Sequence, residues 1–398
     1  MNARWLFGLA LGFGCLSASA NDWPQWRGPN RDNKITGFTP PKVWPKTLKQ
    51  QWKVTVGIGT ASPALVGDML YLFARQGGDE VTLCLDAKTG QEVWKDKYAA
   101  KAVGGAAGSH PGPRSTPTVA DGKVVTLGVG GVLSCLDAAS GKIVWRKETK
   151  SWPRFYTSSS PIIVDGNCIA HIGSDGSGSV TAYDLAKGDE KWKWTGDGPG
   201  YDSPVLMTAG GTRQLVALTD KNLVGIGVAD GKLLWQTPFR AKYNTVTPII
   251  DGETVIYAGQ GNGTVSLKIE KDGDTFATKE VWKQAKGPHQ YNTPVLREGL
   301  IYGLNPNRNL YCQSAKTGDI LWTDTARRGD CGAILDAGSV LLALSTDSEL
   351  IAFKPSEKGY VEVAKIKVAD TPVWTIPVVV GNRVFVKDKE SLILWTFE

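Results

Sequence analysis

The sequence predicts an all-β fold: an eight-bladed β-propeller of four-stranded antiparallel blades, with seven blades as the alternative count. Seven tryptophans from Trp52 to Trp322 recur at intervals of 40 to 51 residues. Ser/Thr-Pro steps and glycine turns recur with the same period, among stretches rich in β-branched residues. Repeats of this length and composition are typical of propellers, in which each unit forms one blade.

The tryptophans close a recurring phrase, Asp-x-x-Thr/Ser-Gly-x-x-x-Trp. The clearest copies span 85–94, 136–145 and 313–322, and looser copies span 183–192 and 227–235. A large ring at the same place in successive blades is expected to fill the wedge between neighbouring sheets. We therefore interpret the tryptophans as packing between blades and not as a ligand site.

Each unit begins with a two-residue step, followed by an apolar strand and a tight turn. The steps are Ser62-Pro63, Thr116-Pro117, Ser160-Pro161, Ser203-Pro204, Thr247-Pro248, Thr293-Pro294, a degenerate Gly332-Ala333, and Ile376-Pro377. The turns that follow combine Gly with Asp or Asn, which adopt positive φ at little cost. Eight steps predict eight blades.

The two ends of the repeat region complete one another. Residues 376–397 hold only three strands, whereas 49–56 form a tryptophan strand around Trp52 with no strands before it. The N-terminal strand is therefore expected to close the ring against the C-terminal three, which removes open sheet edges. The seventh unit lacks its tryptophan and has 361–363 in that place.

The segment before the ring has two predicted parts. Residues 1–20 have the features of a signal peptide: Arg4, an apolar stretch, and Ala18-Ser19-Ala20 as the cleavage site. The residues before Cys15 make a poor lipobox, so a periplasmic or secreted protein without a lipid anchor is the expectation. Residues 21–48, rich in Pro, Gly and Trp, are predicted to extend over one face of the propeller domain (49–398) as a cover.

Composition excludes several classes of function. A net charge of +6 spread over 398 residues, with no Lys/Arg run, argues against nucleic-acid binding. No later stretch approaches the ~20 apolar residues of a transmembrane helix. No Cys-x-x-Cys pair is present, so no metal site is predicted. Cys84, Cys135 and Cys312 fall at the same position of the repeat, and we expect them to be small buried hydrophobic residues. A monomer is expected.

Loops that lead into the innermost strands of a propeller share one mouth of the central channel. Aromatic residues recur there beside polar ones, a combination that suits sugars. Arg114, Arg154, Arg327 and Arg328 favour an anionic group. Equally, the tyrosines can brace the loops, and the sequence leaves both interpretations open. The ligand-binding candidates are Arg114, Tyr156, Tyr201, Asp202, Tyr243, Tyr291, Asn292, Arg327 and Trp374.

If the protein is an enzyme, its acid–base groups are expected at the same mouth. The candidates are His110, His289, Asp202 and Asp330. His171 lies amid apolar residues of a predicted strand and is expected to be a core histidine. The glycine-rich insert 99–113 suits a flap over the mouth.

The phrase at Asp86–Trp94 and Asp137–Trp145 resembles the tryptophan-docking motif of pyrroloquinoline-quinone (PQQ)-like propellers. The resemblance covers 51–397 and says little about activity, because quinoprotein dehydrogenases and BamB-type assembly proteins share the motif. In quinoprotein alcohol dehydrogenases the mouth holds adjacent disulfide-linked cysteines, a calcium ion and a stacking tryptophan. Here Cys331 stands alone, Trp374 is the candidate stacking residue, and no calcium ligand set can be assigned, so no cofactor is predicted and PQQ with calcium is the alternative.

The leading interpretation is an extracytoplasmic propeller that binds a carbohydrate-like ligand or a protein partner at the channel mouth. One alternative is an enzyme acting on sugars or alcohols at that mouth, by lyase, hydrolase or quinone-dependent oxidoreductase chemistry. A BamB-like assembly scaffold is the other.

Overall fold

The computed structural model describes residues 22–239, 241–287 and 291–397. They form eight four-stranded antiparallel sheets arranged as blades, which confirms the predicted eight-bladed β-propeller. The predicted signal peptide and Cys15 lie outside the described residues. Within the described ranges, no helix is both long and apolar enough to cross a membrane.

The first strand, β1 (Lys49–Thr55), belongs to the last blade, and blades 1 to 4 follow it. Blade 1 contains β2 (Ala64–Val66), β3 (Met69–Gln76), β4 (Asp79–Asp86) and β5 (Glu92–Ala99). Blade 2 contains β6 (Thr118–Ala120), β7 (Lys123–Leu127), β8 (Val132–Asp137) and β9 (Ile143–Glu148). Blade 3 contains β10 (Ile162–Val164), β11 (Asn167–Ser174), β12 (Ser177–Asp184) and β13 (Glu190–Gly196). Blade 4 contains β14 (Val205–Ala209), β15 (Thr212–Leu218), β16 (Asn222–Gly227) and β17 (Leu233–Pro238).

Blades 5 to 8 complete the ring. Blade 5 contains β18 (Ile249–Asp251), β19 (Thr254–Gly259), β20 (Gly263–Asp272) and β21 (Thr275–Gln284). Blade 6 contains β22 (Val295–Arg297), β23 (Leu300–Leu304), β24 (Leu310–Ser314) and β25 (Ile320–Thr323). Blade 7 contains β26 (Gly332–Asp336), β27 (Leu341–Ser345), β28 (Glu349–Phe353) and β29 (Glu362–Lys367). Blade 8 contains β30 (Val378–Val380), β31 (Arg383–Lys387) and β32 (Ser391–Thr396), and a 3-10 helix spans Gly105–Ser109 in the link between blades 1 and 2.

The ring closes as the sequence predicts. Strand β1 pairs antiparallel with β32, with Lys53 opposite Ile393, and so supplies the outermost strand of blade 8. Blade 8 therefore joins both ends of the repeat region by backbone hydrogen bonds, and β32 is not left as an unpaired sheet edge.

The recurring phrase docks a tryptophan onto the next blade in most blades. The Trp94 indole N–H donates to the Ala138 carbonyl at 3.0 Å, and its ring lies directly against Gly141. Gly141 has φ +71°, so it both makes the turn and leaves room for the ring. Trp145 repeats the arrangement on Leu185 and Gly188 of blade 3. The tryptophans are thus packing elements, as the sequence indicates.

A β-bulge precedes the tryptophan position in every blade. In blade 1, Trp94 pairs with Cys84 and Glu92 with Leu85, so that Val93 is the extra residue. A bulge redirects the side chain that follows it, and here it turns the indole toward the neighbouring blade. The bulge residues are Gln51, Val93, Val144, Lys191, Leu234, Val281, Leu321 and Val363.

Two blades depart from the repeat. In blade 7 the tryptophan position falls on Ala364, directly after 361–363, and Trp395 of β32 donates to the Val368 carbonyl at 2.8 Å. Blade 5 has a long β20–β21 hairpin instead of the Asp-x-x-Thr/Ser-Gly turn. Without that turn to dock on, Trp235 donates to Gln214 of its own blade at 2.6 Å.

Candidate functional site

A belt of hydroxyl groups joins the innermost strands around the channel. At each link, the Ser or Thr of one blade-starting step accepts a hydrogen bond from the backbone N–H of the step before it. The six links run from Ile376 N–H to Ser62, then to Thr116, Ser160, Ser203, Thr247 and Thr293. The belt explains why the steps carry Ser or Thr, and it is open at blades 7 and 8, where Gly332 and Ile376 have no hydroxyl.

The segment before β1 crosses the channel. Trp23 exchanges two backbone hydrogen bonds with Leu65 of blade 1, and Pro24 accepts one from Val119 of blade 2. On the far side, the backbone of Asn33–Ile35 pairs with Asp336 of blade 7. All three of these inner-strand contacts lie beyond the belt, so the segment occupies the side of the channel away from the mouth.

Two arginines of this segment hydrogen-bond to the inner ends of the blades. Arg31 donates to the carbonyls of Ser160, Pro161 and Pro204 in blades 3 and 4. Arg27 donates to Thr293 and Pro294 of blade 6, both at 2.9 Å.

Neither guanidinium lies within 4 Å of a carboxylate among the described residues. Burial lowers the pKa of Arg27 to about 10 and that of Arg31 to about 9, so both stay charged at neutral pH.

Above the segment lies a cup of about 750 Å³ that opens at the mouth. Its floor is made by Trp26, Arg27 and Asn33 together with belt residues such as Thr247 and Thr293. Its walls come from the loops that precede the inner strands. The wall residues are His110, Arg114, Arg154, Phe155, Tyr201, Lys242, Tyr243, Tyr291, Cys331 and Trp374, and Ala106 and Ala107 of the 3-10 helix form the rim.

The aromatic wall is held in place by ring contacts and hydrogen bonds. Phe155 lies edge-on to Tyr201 and Tyr243, with centroids 5.9 and 5.5 Å apart. The Tyr201 hydroxyl accepts from the Phe155 backbone N–H at 3.2 Å. On the opposite side, His110 lies edge-on to Trp374 at 4.9 Å. Such a preformed wall can receive a ligand without reordering its side chains.

Cations line the cup, whereas no Asp or Glu is among its described lining residues. Arg114 donates to the carbonyls of Phe155 and His110, and burial is the main cause that lowers its pKa. Arg154 and Lys242 lie over the rings of Phe155 and Tyr243. Burial and the nearby Arg114 together lower the pKa of His110, which favours its neutral form.

Other predicted site residues lie outside the cup lining and have structural contacts. Asp202 and Asn292 are buried at equivalent positions of blades 4 and 6, where they accept from the N–H groups of Leu218 and Leu304. Burial raises the pKa of Asp202 to about 8. The Tyr156 hydroxyl accepts from Gly104 N–H at 3.0 Å and so supports the rim.

The remaining candidates are dispersed. Asp330 is exposed and paired with Arg308, and Arg327 is exposed. Arg328 is buried in an ion pair with Asp324 at 2.6 Å. His171 is a core residue whose pKa burial lowers to about 4. His289 lies outside the described residues.

The lining does not fit the calcium-held quinone of the alcohol dehydrogenases. Calcium takes six to eight oxygen ligands, with carboxylates prominent among them, and the described lining supplies no carboxylate. No cluster of three or more His, Cys, Asp or Glu residues in the described ranges could hold a metal ion. The Trp374 candidate for stacking packs edge-on against His110 instead of presenting both faces.

Sequence reasoning missed the floor of the cup. Trp26, Arg27 and Asn33 were expected only within a cover segment, because nothing local marks them as channel residues. The one signal was the pair of arginines in 27–31, which stand in a Pro-, Gly- and Trp-rich stretch without the repeat pattern.

Comparisons with known proteins agree with the repeat. The family described as outer membrane protein assembly factor BamB matches residues 41–193 and 78–324. BamB of Yersinia pestis is 24% identical over 368 residues, covering 87% of this chain and 88% of the relative. The quinohemoprotein alcohol dehydrogenase of Comamonas testosteroni is 26% identical over 227 residues, covering 54% of this chain but only 30% of the relative.

Solved structures show the same fold. BamB of Moraxella catarrhalis superposes with a TM-score of 0.64 at 15% identity, covering 88% of this chain and 98% of that one. The Comamonas testosteroni dehydrogenase gives 0.65 at 16% identity, covering 95% and 81%. The family match spans well over half of the sequence, and the chain therefore belongs to the PQQ-like repeat family described as outer membrane protein assembly factor BamB.

Proposed function

We propose that this protein is an exported propeller that binds a carbohydrate-like ligand in the cup. The observation that carries the proposal is the cup itself: a cavity of about 750 Å³ that is closed below by a segment absent from the repeat. Cavities of ~300–1,000 Å³ with apolar walls and a few polar groups are typical of ligand sites.

The wall chemistry supports a sugar-like ligand. Tyr201, Tyr243, Phe155 and Trp374 present aromatic surface, and the hydroxyls and guanidinium groups beside them can hydrogen-bond to ring hydroxyls. Tyr291 is 55% exposed at the mouth and adds aromatic surface to the wall. Export is supported by the predicted signal peptide and by relatives that are named for the outer membrane.

Calorimetric titration of the purified protein with a panel of neutral and acidic oligosaccharides tests the proposal. Tyr201→Ala removes aromatic wall area and the hydroxyl that accepts from Phe155, and we expect it to weaken binding at least tenfold. Tyr183→Ala removes a tyrosine that packs on Trp145 next to the Asp-Gly turn of blade 3, outside the cup lining, and should leave affinity unchanged. Turnover assays on the same panel, repeated with His110→Ala, test the enzyme alternative. The proposal fails if no saccharide binds, or if Tyr201→Ala and Tyr183→Ala bind alike.

The family match favours a second candidate function, a scaffold in outer-membrane protein assembly. Two curated BamB proteins are 24% identical to this chain over 87% and 86% of its length. Deleting the gene in its own host and quantifying outer-membrane proteins by mass spectrometry tests this candidate. Broad depletion, restored by the wild-type gene and by Tyr201→Ala alike, would assign the scaffold role; unchanged levels would remove it.

A further inference from the structure

We propose that the ligand of the cup is an acidic saccharide, a sugar that carries carboxylate or sulfate groups. This inference rests on the proposed function and narrows it from carbohydrates in general to anionic ones. Three independent features of the cup lead to it: the charges of the wall, the charges beneath the floor, and unpartnered polar atoms in the floor.

The wall carries positive charge that no carboxylate of the described lining offsets. Arg114, Arg154 and Lys242 all line the cup, and the side-chain cation of none of them is in an ion pair with a described residue. Asp175 accepts from the backbone N–H of Arg154, and Glu80 acts on Arg114 at longer range. By contrast, two other half-buried or buried arginines are paired, Arg146 with Asp96 and Arg328 with Asp324. Three unpaired cations in one concave wall focus a positive potential on whatever enters.

Two further charges lie at and beneath the floor. Arg27 and Arg31 are almost fully buried, and among the described residues their guanidinium groups hydrogen-bond only to backbone carbonyls and the Gln25 side chain, while Asp32 acts on Arg27 at longer range. A buried cation without an ion-pair partner is costly. Burial lowers the pKa of each guanidinium, which is the signature of that cost. An anion in the cup would reduce it, because Arg27 itself lines the floor.

Polar atoms in the floor indicate hydroxyl groups on the ligand. Asn33 is 1% exposed and lines the cup, and its amide donates to the Ile334 carbonyl at 2.9 Å, while its covered Oδ1 accepts no hydrogen bond from the described residues. Trp26 also lines the floor, and its covered indole N–H has no partner among the described residues. A sugar hydroxyl both donates and accepts, so it can partner either atom once that side chain turns toward the cup. Simple inorganic anions would leave Asn33 Oδ1 unsatisfied.

The test compares matched saccharides. Trigalacturonate, a sulfated carrageenan disaccharide and neutral maltotriose are titrated into the protein by calorimetry at low and at physiological salt. We expect at least one of the two acidic sugars to bind at least tenfold more tightly than maltotriose, and that preference to shrink as salt rises.

Two paired variants assign the effect to the cup. Arg154→Gln with Lys242→Gln removes two wall charges that make no carbonyl contacts of their own, and it should weaken acidic-sugar binding at least tenfold. Lys88→Gln with Arg213→Gln removes the same charge at turns on the opposite face, and it should leave binding unchanged. Maltotriose binding as tightly as the acidic sugars, with both variants alike, would overturn the inference and leave the proposed function standing. If no saccharide of any kind binds, both fail.

Discussion

The docking of tryptophan on glycine makes a quantitative prediction for Gly141→Ala in blade 2. Gly141 has φ +71°, and a methyl group there would lie 2.5 Å from the Trp94 ring. Gly122, in another turn of the same blade, has φ +68° but no atom within 4 Å of the added methyl. The two substitutions thus share one backbone cost and differ in the steric one.

The difference can be estimated from these contacts. A left-handed conformation costs an alanine about 1–2 kcal/mol in either position. At Gly141 the ring must also move, which adds about 1–3 kcal/mol for overpacking and about 1 kcal/mol if the Trp94–Ala138 hydrogen bond is lost. Gly141→Ala should therefore destabilise the protein by roughly 2–4 kcal/mol more than Gly122→Ala.

Urea unfolding followed by tryptophan fluorescence gives both values. A double-mutant cycle with Trp94→Ala separates the two costs, because without the ring Gly141→Ala should cost only about as much as Gly122→Ala. Equal destabilisation by the two glycine substitutions in the wild-type background would refute the docking account. The same conclusion would follow if Trp94→Ala failed to reduce the cost of Gly141→Ala.

Three further predictions concern the residues around the channel. Burial raises the pKa of Asp202 to about 8, so the folded protein keeps a proton that the unfolded chain releases near pH 4. Between pH 4 and pH 8 the free energy of unfolding should therefore fall as pH rises, by up to ~1.4 kcal/mol per pH unit. Asp202→Asn, which mimics Asn292, should remove this slope in urea titrations at pH 5, 6 and 7, and an unchanged slope would reject Asp202 as its source. Arg31→Lys keeps the charge, but a lysine cannot reach the carbonyls of two blades, so thermal unfolding should show a loss of stability of roughly 2–4 kcal/mol. The control Lys34→Arg, at an exposed position of the same segment, should show no loss. Thr247→Val leaves the buried Ser203 N–H unpaired and should cost about 1–3 kcal/mol, against a small effect for exposed Thr325→Val; equal effects would mean that the belt contributes nothing.

The fold could be predicted from the sequence because its determinants are local and repeated. The Asp–Gly–Trp phrase specifies a turn, a bulge and a docking ring within ten residues, and each copy reinforces the interpretation of the others. Even the closure at Trp52 followed from counting strands at the two ends. The role of Ala364 could not be predicted from the sequence, because blade 7 has no tryptophan to mark the residue that follows its bulge.

The site was only partly predictable. Tyr201, Tyr243, Arg114 and Trp374 were found because the position before each inner strand fixes them at the mouth. Asp202 and Asn292 occupy that same position, but their side chains turn inward and accept from backbone N–H groups. Tertiary packing determines that orientation. The floor could not be predicted, because Arg27 bonds residues 266 and 267 positions away, and no local pattern records such a contact.

The central claim is that the closed, positively charged cup receives an acidic sugar. A crystal structure of the protein soaked with trigalacturonate tests it most directly. We predict density for the saccharide between the Phe155 and Trp374 walls, with a carboxylate in ion-pair contact with Arg114, Arg154 or Lys242. A saccharide found only on the outer surface of the ring, or a cup that holds none at concentrations that saturate binding in solution, would contradict the account.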